Sequence, residues 1–277
     1  MHKACALARS HGLAGFLATI ITDTIPVMAG RLAAVVAARQ ADPLVAEMVA
    51  GFHIEGPFLN ETVGYRGAHP ADAIIPADAE LMKHLLDAAG GLVKIVTLAP
   101  ERDAGLRLTA MLAKSGIIVS AGHCDPTRDQ LAAADAGLSM FTHLGNGCPM
   151  QMGRHDNIIQ RALSLRDRLW LGFIADGCHI PFFSLGNYLR AAGLDRVVIV
   201  TDGTAPSGMG PGRYRLGRWD VLIGPEMVAM APDGSHLIGS AVTMRKCYEN
   251  LTGPMGLSPA DAKRLTWTNP RQALGMK

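Results

Sequence analysis

The sequence has little net charge and no run of basic residues. Its 26 Lys and Arg residues nearly balance 24 Asp and Glu residues, which leaves a formal net charge of +2. Proteins usually bind polyanionic partners through a concentrated basic face or a run of basic residues. We therefore expect no nucleic acid and no membrane as a partner, and a small molecule is the better candidate.

The sequence also lacks a membrane-length apolar run and any Cys-x-x-Cys motif. No stretch reaches the ~18 unbroken apolar residues of a membrane span, and charge interrupts the N-terminus too early for a secretion signal. The five cysteines are scattered and odd in number, whereas secreted disulfide frameworks use even, regularly spaced sets. This pattern predicts a protein of the reducing cytoplasm.

Short β-branched runs alternate with longer helical patterns over most of the chain. The predicted strands are residues 13–21, 49–54, 92–98, 116–121, 138–142, 169–175 and 197–201. The predicted helices lie at the N-terminus and near 25–41, 77–89, 102–115, 126–136, 155–164 and 181–192. This alternation is typical of right-handed βαβ units with a parallel sheet. With 277 residues, we expect a single barrel domain over 1–277, of the α/β, (β/α)8 TIM type.

The pattern changes after residue 201. Residues 203–238 are rich in Gly and Pro and predict a long loop with a small hairpin, and helices resume near 240–253 and 258–267. Ser258, followed by Pro, is expected to cap the last of these helices. Seven parallel strands are predicted where a closed barrel needs eight. Either one strand escapes detection or the chain starts one βα unit late.

Five of the predicted strands are each followed, at the C-terminal end, by a polar residue. These residues are Glu55, His123, His143, Asp202 and, in Asp176-Gly-Cys-His, His179. In an α/β barrel the loops that carry active sites converge at that end. One such residue is more often a helix cap or a core histidine, but five strands with the same feature predict an active site.

Glu55, His123 and His143 form a possible metal triad, because two imidazoles and a carboxylate are a known catalytic zinc set with one position open to water. The alternative is a capping Glu55 and two histidines in a polar core. Asp202 is the candidate general base beside such a metal. Its alternative is a turn residue, since Thr-Asp-Gly-Thr is also good turn chemistry.

Two further groups allow two interpretations each. Asn146-Gly-Cys-Pro and Gly122-His-Cys-Asp-Pro have exposed backbone N–H groups that can hold an anion, with Arg154 and His155 adding charge or simply facing solvent. Cysteines 124, 148 and 178 lie beside these motifs. Thiolate ligation or nucleophilic catalysis is one interpretation, and small packing residues are the simpler one.

Taken in order, these motifs resemble the N-acetylglucosamine-6-phosphate deacetylases of the amidohydrolase superfamily from about Ala6 onward. The matching segments are Phe52-His-Ile-Glu-Gly-Pro-Phe-Leu-Asn, Gly67-Ala-His-Pro, Ser120-Ala-Gly-His, Thr142-His-Leu-Gly-Asn, Ala175-Asp-Gly-Cys-His, Val200-Thr-Asp-Gly, Gly239-Ser-Ala-Val-Thr-Met and Thr268-Asn-Pro-Arg-Gln-Ala-Leu-Gly. Each motif is short, but the ordered set is specific.

The resemblance implies a role for each matching residue. Glu55, His123 and His143 would bind the catalytic divalent metal, and Asp202 would be the acid/base. His69 would polarise the acetyl carbonyl. The substrate-binding residues implied are Asn146 and Gly147 with Arg154 and His179 for the sugar phosphate, and the backbone of Ile238 and Gly239 for the sugar pocket.

Three departures from the family pattern change these expectations. Family chains normally begin with a β-sandwich segment and a first barrel strand that carries His-x-His or Gln-x-Asn. This sequence starts after that point, so we expect a barrel without the first strand and the sandwich, poorly soluble and weakly active alone. The turn Gly145-Asn-Gly-Cys replaces Phe and Ala of many relatives, which alters the pocket. No His-x-His occurs, so one metal is expected.

The function that the resemblance implies is metal-dependent hydrolysis of N-acetylglucosamine 6-phosphate to glucosamine 6-phosphate and acetate. The alternatives are a deacetylase of another acylated amino-sugar phosphate and a non-catalytic, truncated barrel that binds sugar phosphate. Zinc is the first candidate for the metal, and iron(II), cobalt and nickel accept the same ligands. Relatives are usually dimers, so a homodimer is expected.

Overall fold

The computed structural model describes residues 1–132 and 136–276 of the chain. Its centre is a parallel sheet of seven strands in the order β1 to β7, each paired with the next along the chain. The strands are β1 (Phe16–Ile21), β2 (Val49–Glu55), β3 (Val93–Leu98), β4 (Ile118–Ala121), β5 (Leu138–Phe141), β6 (Trp170–Ile174) and β7 (Val197–Val200). All seven predicted strands are present, and their order confirms the parallel α/β class.

Helices connect the strands and cover the sheet. They are α1 (His2–Ser10), α2 (Ile25–Ala41), α3 (Pro43–Met48), α4 (Ala79–Ala88), α5 (Arg107–Lys114), α6 (Arg128–Leu131), α7 (Ile158–Leu163), α8 (Phe182–Ala192), α9 (Met244–Thr252), α10 (Pro259–Lys263) and α11 (Asn269–Ala273). Short 3-10 turns lie at Ala71–Ala73, Pro100–Arg102 and Ala104–Leu106, and a π-helical turn at Arg264–Thr268 joins α10 to α11. Part of the predicted helix 126–136 lies outside the described residues. No helix of the described chain is both long and apolar enough to cross a membrane.

Side-chain caps fix where several helices begin. The carboxylate of Asp42 accepts hydrogen bonds from the backbone N–H groups of Leu44 and Val45 at the start of α3, a helix that the sequence pattern missed. The hydroxyl of Ser258 accepts from the N–H of Asp261 at 3.1 Å, as predicted for α10. A side-chain oxygen at this position satisfies an N–H that the helix leaves unpaired.

The alternation of side chains along β2 shows how the sheet separates core from site. Phe52 and Ile54 are fully buried in the apolar core, whereas His53 and Glu55 lie on the opposite face, since successive strand residues point in opposite directions. The apolar face packs under the helices. The polar face therefore carries the groups that matter for chemistry.

The sheet has seven strands in the described residues, and β1 and β7 each have one neighbour there. This arrangement is compatible with a TIM-type barrel. The expectation of an absent first strand and sandwich stays a prediction.

A second, antiparallel sheet follows β7. It consists of β8 (Gly212–Leu216), β9 (Trp219–Ile223) and β10 (Ala229–Met230), and it has an apolar cluster of its own that includes Val221, Ile223 and Ile238. The predicted hairpin is thus present, with a third short strand that was not predicted.

Charged groups join this small sheet to the loop after β1. Asp23, only 5% exposed, pairs with Arg31 at 2.8 Å and accepts from Nε of Arg218 at 3.1 Å. Arg218 also pairs with Asp72 at 2.8 Å. Burial alone would raise the pKa of Asp23, but hydrogen bonds from Arg218 and the N–H of Thr24, with the nearby arginine charges, lower it. The sheet is therefore held against the barrel by a paired carboxylate.

We predict that Asp23→Asn lowers the free energy of unfolding at pH 7 by about 1–3 kcal/mol, the usual scale for a charge-assisted hydrogen bond. A carboxyl whose folded pKa is lowered stabilises the fold above its unfolded pKa, near 4, and that contribution is lost as the pH falls through the folded value. The penalty should therefore shrink at about pH 3. Urea unfolding of both proteins at the two pH values measures it; an equal penalty at both would contradict the assignment.

Candidate metal and active site

Three buried ionisable residues meet at the carboxyl edge of the parallel sheet. Glu55 ends β2, and His123 and His143 each follow the last residue of β4 and β5 by two positions. All three are almost completely buried. Because parallel strands end at one edge, residues distant in sequence are brought together, as the sequence predicted.

Glu55 is the centre of this group. Its Oε1 lies 2.9 Å from Nε2 of His143 and 3.4 Å from Nε2 of His123. Burial alone would raise the pKa of Glu55, but the hydrogen bonds and charges of the two imidazoles hold it well below its usual range. Burial alone would lower the pKa of His143, but the hydrogen bond with Glu55 outweighs burial and raises that pKa. Glu55 is therefore ionised, and its Oε1 faces Nε2 of both His123 and His143.

The surroundings of His123 hold its ring in one orientation. Its Nδ1 lies 2.8 Å from the backbone carbonyl of Tyr65, to which it can only donate. A Cβ added to Gly147 would lie 2.7 Å from Nδ1 of His123, and one added to Gly67 would lie 3.0 Å from its Cε1. Both glycines are therefore required by close approach to this imidazole, and Nε2 is left to face Glu55.

Backbone strain marks the same positions. His123, His143 and Asp202 have φ angles of +50°, +32° and +49°. Residues other than glycine seldom adopt the left-handed backbone region, and this conformation persists only where the surrounding structure imposes it. Three such residues directly after three strands point to a site whose side chains are aimed by the loops. No sequence signal marks these angles.

His69 also reaches the group, through the loop after β2. Its ring centroid lies 4.3 Å from that of His123, and donor atoms of Glu55, His69 and His123 all lie within 4.8 Å of one another, which makes them a candidate metal site. The predicted triad, with His143 in place of His69, shares two of these residues.

The donor set fits a divalent metal on its own geometry. A carboxylate and imidazole nitrogens are the ligand types of catalytic zinc sites, and a ligating histidine normally donates its other N–H to a carbonyl or carboxylate. His123 does so to Tyr65. Nδ1 of His143 is buried and has no hydrogen-bond partner among the described residues, so His143 lacks the supporting acceptor that His123 has.

Asp202 follows β7 and is half-buried. Burial raises its pKa; the charge of Glu55 adds to this, while His143 and His179 oppose it. Its carbonyl accepts from the N–H of Ser240 at 2.9 Å. A Cβ added to Gly239 would lie 3.1 Å from that carbonyl, so the 238–240 segment packs directly on the Asp202 loop.

His179 pairs with Asp176, a contact that sequence reasoning missed. Its Nδ1 lies 2.7 Å from Oδ2 of Asp176, and its side chain is 3% exposed. The spacing of three residues in Asp176-Gly-Cys-His was the available signal. Arg154 lies exposed on the loop after β5, and the described residues show no hydrogen bond or ion pair between Arg154 and His179. Asn146 lies on the same loop, its N–H bonded to the carbonyl of His143 at 2.9 Å.

The three cysteines near these motifs are all free. Burial raises the pKa of Cys124 well above its usual value and also raises those of Cys148 and Cys178. A thiol with a raised pKa is a poor nucleophile or ligand at neutral pH. The structure therefore favours the packing interpretation.

Hydroxyl groups form a continuous chain across the polar face of the sheet, a feature that no motif indicated. Nε2 of His53 lies 2.7 Å from Oγ1 of Thr97, and Oγ1 of Thr142 lies 2.7 Å from both Oγ1 of Thr97 and Oγ of Ser120. These residues come from or adjoin β2, β3, β4 and β5. The chain thus joins the strands that carry Glu55, His123 and His143.

The parallel sheet and the imidazole–carboxylate cluster at its carboxyl edge define an α/β barrel-type protein with a candidate metal centre. No protein-family model matches the chain. It is 34% identical over 269 residues to the N-acetylglucosamine-6-phosphate deacetylase of Bacillus subtilis, covering 96% of this chain and 66% of that protein. It is 28% identical over 277 residues to the N-acetylgalactosamine-6-phosphate deacetylase of Escherichia coli O157:H7, which covers 100% of this chain and 70% of that protein.

A solved structure gives the same answer. A variant of the Mycobacterium smegmatis N-acetyl-D-glucosamine-6-phosphate deacetylase, in complex with N-acetyl-D-glucosamine 6-phosphate, superposes with a TM-score of 0.89 at 30% identity, covering 99% of this chain and 71% of that one. The chain belongs to the N-acetylglucosamine-6-phosphate deacetylase family. It spans slightly less than two thirds of the Bacillus subtilis relative and about half (51%) of that from Lysinibacillus sphaericus.

Proposed function

We propose that this protein hydrolyses the acetamide of N-acetylglucosamine 6-phosphate in a metal-dependent reaction, giving glucosamine 6-phosphate and acetate. The observation that carries the proposal is the buried contact of Glu55 with His123 and His143, at the sheet edge that also bears Asp202. Family membership supplies the substrate class. The domain we infer is a single barrel over 1–277, and the scattered free cysteines favour a cytoplasmic location.

Glu55, His123 and His143 would hold one divalent ion, with zinc the first candidate and iron, cobalt or nickel also compatible. A divalent ion in such a site supplies Lewis-acid chemistry and makes water a stronger acid. Two nitrogens and one carboxylate oxygen leave room for water and substrate.

In the reaction, Asp202 would accept a proton from the attacking water as the new C–O bond forms. His69 would donate a hydrogen bond to the acetyl oxygen while negative charge develops there. Asp202 would then deliver its proton to the amine nitrogen as the C–N bond breaks. The raised pKa of Asp202 suits a group that both takes and returns a proton.

The substrate would be held by the loops around this centre. Asn146 offers its side-chain amide and Gly147 its backbone N–H after β5, while Arg154 offers a positive charge and His179 its second ring nitrogen for the phosphate. In the same way, Ile238 and Gly239 would line the sugar pocket, where their segment packs on the Asp202 loop.

The similarity to an N-acetylgalactosamine-6-phosphate deacetylase favours the epimeric sugar as the second candidate. Acetate release from purified protein, with and without added Zn²⁺, on both 6-phosphates and on unphosphorylated N-acetylglucosamine tests both. Faster turnover of the galactosamine substrate would favour the second candidate. Binding of either phosphate without acetate release would instead indicate the non-catalytic alternative.

We predict that His179→Ala lowers kcat/KM for the phosphorylated substrate by about 1.5–3 kcal/mol, the scale of a charge-assisted hydrogen bond. With unphosphorylated N-acetylglucosamine the loss should nearly vanish, because the phosphate contact is absent. The comparison of substrates on one variant cancels any loss of folded protein, and His236→Ala in the hairpin region is the control. Equal losses on both substrates would mean that His179 has another role.

A second copy of the chain is the proposed protein partner. Three large apolar side chains are exposed at the site end of the barrel: Val63 and Met150 on the loops after β2 and β5, and Phe183 in the first turn of α8 after β6. Such side chains favour association where they form a contiguous exposed patch, and we propose that these three do so in the dimer. Sedimentation velocity of the wild type and of a Met150→Glu, Phe183→Glu variant tests it; a monomeric wild type would refute the homodimer.

A further inference from the structure

Glu101 is a carboxylate beside the candidate site that the proposed reaction does not use. It follows β3, which lies between β2, the strand that ends at Glu55, and β4, the strand before His123. Its Oε1 accepts two hydrogen bonds, from Nδ2 of Asn60 at 2.9 Å and from the backbone N–H of Asp125 at 2.6 Å. One oxygen therefore joins the loops after β2, β3 and β4.

The chemistry of the two donors fixes the direction of these bonds. A backbone N–H can only donate. The side-chain amide of Asn60 has one orientation, because its Oδ1 accepts from the backbone N–H of Thr62 at 2.9 Å, which leaves the donor Nδ2 to face Glu101. Residue 101 must therefore supply an acceptor to both neighbours.

The two residues that Glu101 holds are also attached to His123. The backbone N–H of Asn60 donates to the carbonyl of His123 at 3.0 Å, and Asp125 is two residues further along the chain. Residues 123–125, Glu101 and Asn60 thus form a closed cycle of covalent and hydrogen bonds. His123 has a φ of +50°, a conformation that persists only where the surroundings impose it. The cycle supplies such a constraint.

The interior of this cycle is shielded from water. Cys124, inside it, is 1% exposed. Oε2 of Glu101 is buried and has no hydrogen-bond partner among the described residues. Water therefore cannot easily replace the acceptor if the carboxylate is removed, and an N–H left unpaired would favour a different loop conformation.

We propose that Glu101 is a positioning residue for His123. Its Oε1 holds residues 60 and 125 in place, and these hold the backbone of His123 in the left-handed conformation. That conformation directs Nε2 of His123 toward Oε1 of Glu55, 3.4 Å away. The consequence for metal binding rests on the proposed function, whereas the consequence for the backbone does not.

Amide hydrogen exchange reads the backbone constraint without metal or turnover. In EDTA-treated protein, NMR follows the N–H of Asn60, which reports the bond to His123, and the N–H of the buried Val96 in β3, which reports global unfolding. We expect Glu101→Ala to speed exchange at Asn60 relative to Val96 by about 10-fold or more, because the loop loses its anchor and opens locally.

The conservative variant Glu101→Gln should restore slow exchange. Its Oε1 can accept from both donors, and its Nε2 takes the place of an oxygen that has no partner to lose. We expect the exchange ratio of Asn60 to Val96 to stay within about threefold of the wild type, since the acceptor remains.

Zinc affinity tests the consequence for the metal site. Glu101→Ala should weaken Zn²⁺ binding, measured by competition with a chelating dye, by about 10–100-fold, the usual effect of losing a group that supports a ligand. Glu101→Gln should bind within about threefold of the wild type. A wild type that binds no zinc would contradict the metal site of the proposed function, and the exchange ratio would still decide the role of Glu101.

Asp103 is a matched control two residues away. Its carboxylate is 5% exposed and also accepts from backbone N–H groups, those of Leu108 at 3.1 Å and Thr109 at 2.7 Å, but these lie in α5 and not beside His123. Asp103→Ala should therefore lower stability without weakening zinc binding or raising the ratio of exchange at Asn60 to that at Val96.

Three results would refute the role of Glu101. They are an unchanged exchange ratio in Glu101→Ala, a ratio raised as much in Glu101→Gln or Asp103→Ala, and an unchanged zinc affinity in Glu101→Ala beside a wild type that binds zinc. If Glu101→Ala does not fold, Glu101→Met, which keeps the length of the side chain without a strong acceptor, gives the same two readings.

Discussion

Replacement of both His123 and His143 by alanine is expected to abolish binding of the divalent ion, with a loss of affinity of more than about 100-fold. That estimate is a lower bound, because changes to groups that merely support a ligand already cost about 10–100-fold. The single carboxylate of Glu55 left behind, itself buried, cannot complete a tetrahedral set. Metal analysis after dialysis against excess Zn²⁺, with about one ion per chain in the wild type, measures the effect.

Two histidine variants serve as matched controls. His84→Ala, on the exposed face of α4, should bind the ion as the wild type does. His69→Ala should also retain it if His69 is a hydrogen-bond donor and not a ligand. Full occupancy in the double variant would show that the metal binds elsewhere, and loss of metal in His69→Ala alone would favour the set of Glu55, His69 and His123.

How much of this site the sequence predicts depends on what brings the residues together. Glu55, His123, His143 and Asp202 were predicted because each follows a strand, and the carboxyl ends of parallel strands share one edge whatever the details of packing. Their meeting is a consequence of topology. Seven alternating strand patterns were sufficient to establish it.

The contacts that assign roles were not predictable in the same way. His69 owes its position to a loop and its hydrogen bond to Thr22, 47 residues away in sequence, and Tyr65 supports His123 with a carbonyl, which every residue has. Neither depends on a periodic pattern. The left-handed φ angles of His123 and His143 likewise arise from tertiary packing, which overrides local preference.

Secondary structure shows the same division. The long strands and α2 follow from periodicity, whereas the six-residue helix α3 is too short to show a period. Its one signal, Asp42 followed by Pro43, is a cap and a first-turn proline. The helix forms because that cap and burial of Val45 and Met48 compensate for a short run of hydrogen bonds.

Asp202→Asn is expected to lower kcat by roughly 10²–10⁴, the usual contribution of a positioned acid–base group, while the metal remains bound. The amide is nearly the same shape as the carboxylate, so it should fit the half-buried position after β7. It can neither take a proton from water nor return one to the amine. Steady-state acetate release and metal analysis on the same preparation give both quantities.

A loss confined to kcat is the result that distinguishes catalysis from support of the loop. The bond from the N–H of Ser240 to the carbonyl of residue 202 involves backbone only, so the substitution leaves it in place, and the packing of Gly239 on that carbonyl is likewise untouched. Asp195→Asn, at an exposed ion pair with Arg264 before β7, is the matched control and should turn over normally. A normal kcat in Asp202→Asn would remove this residue from the mechanism, because no proton could then pass through it. A low kcat with lost metal would instead place Asp202 among the groups that hold the ion.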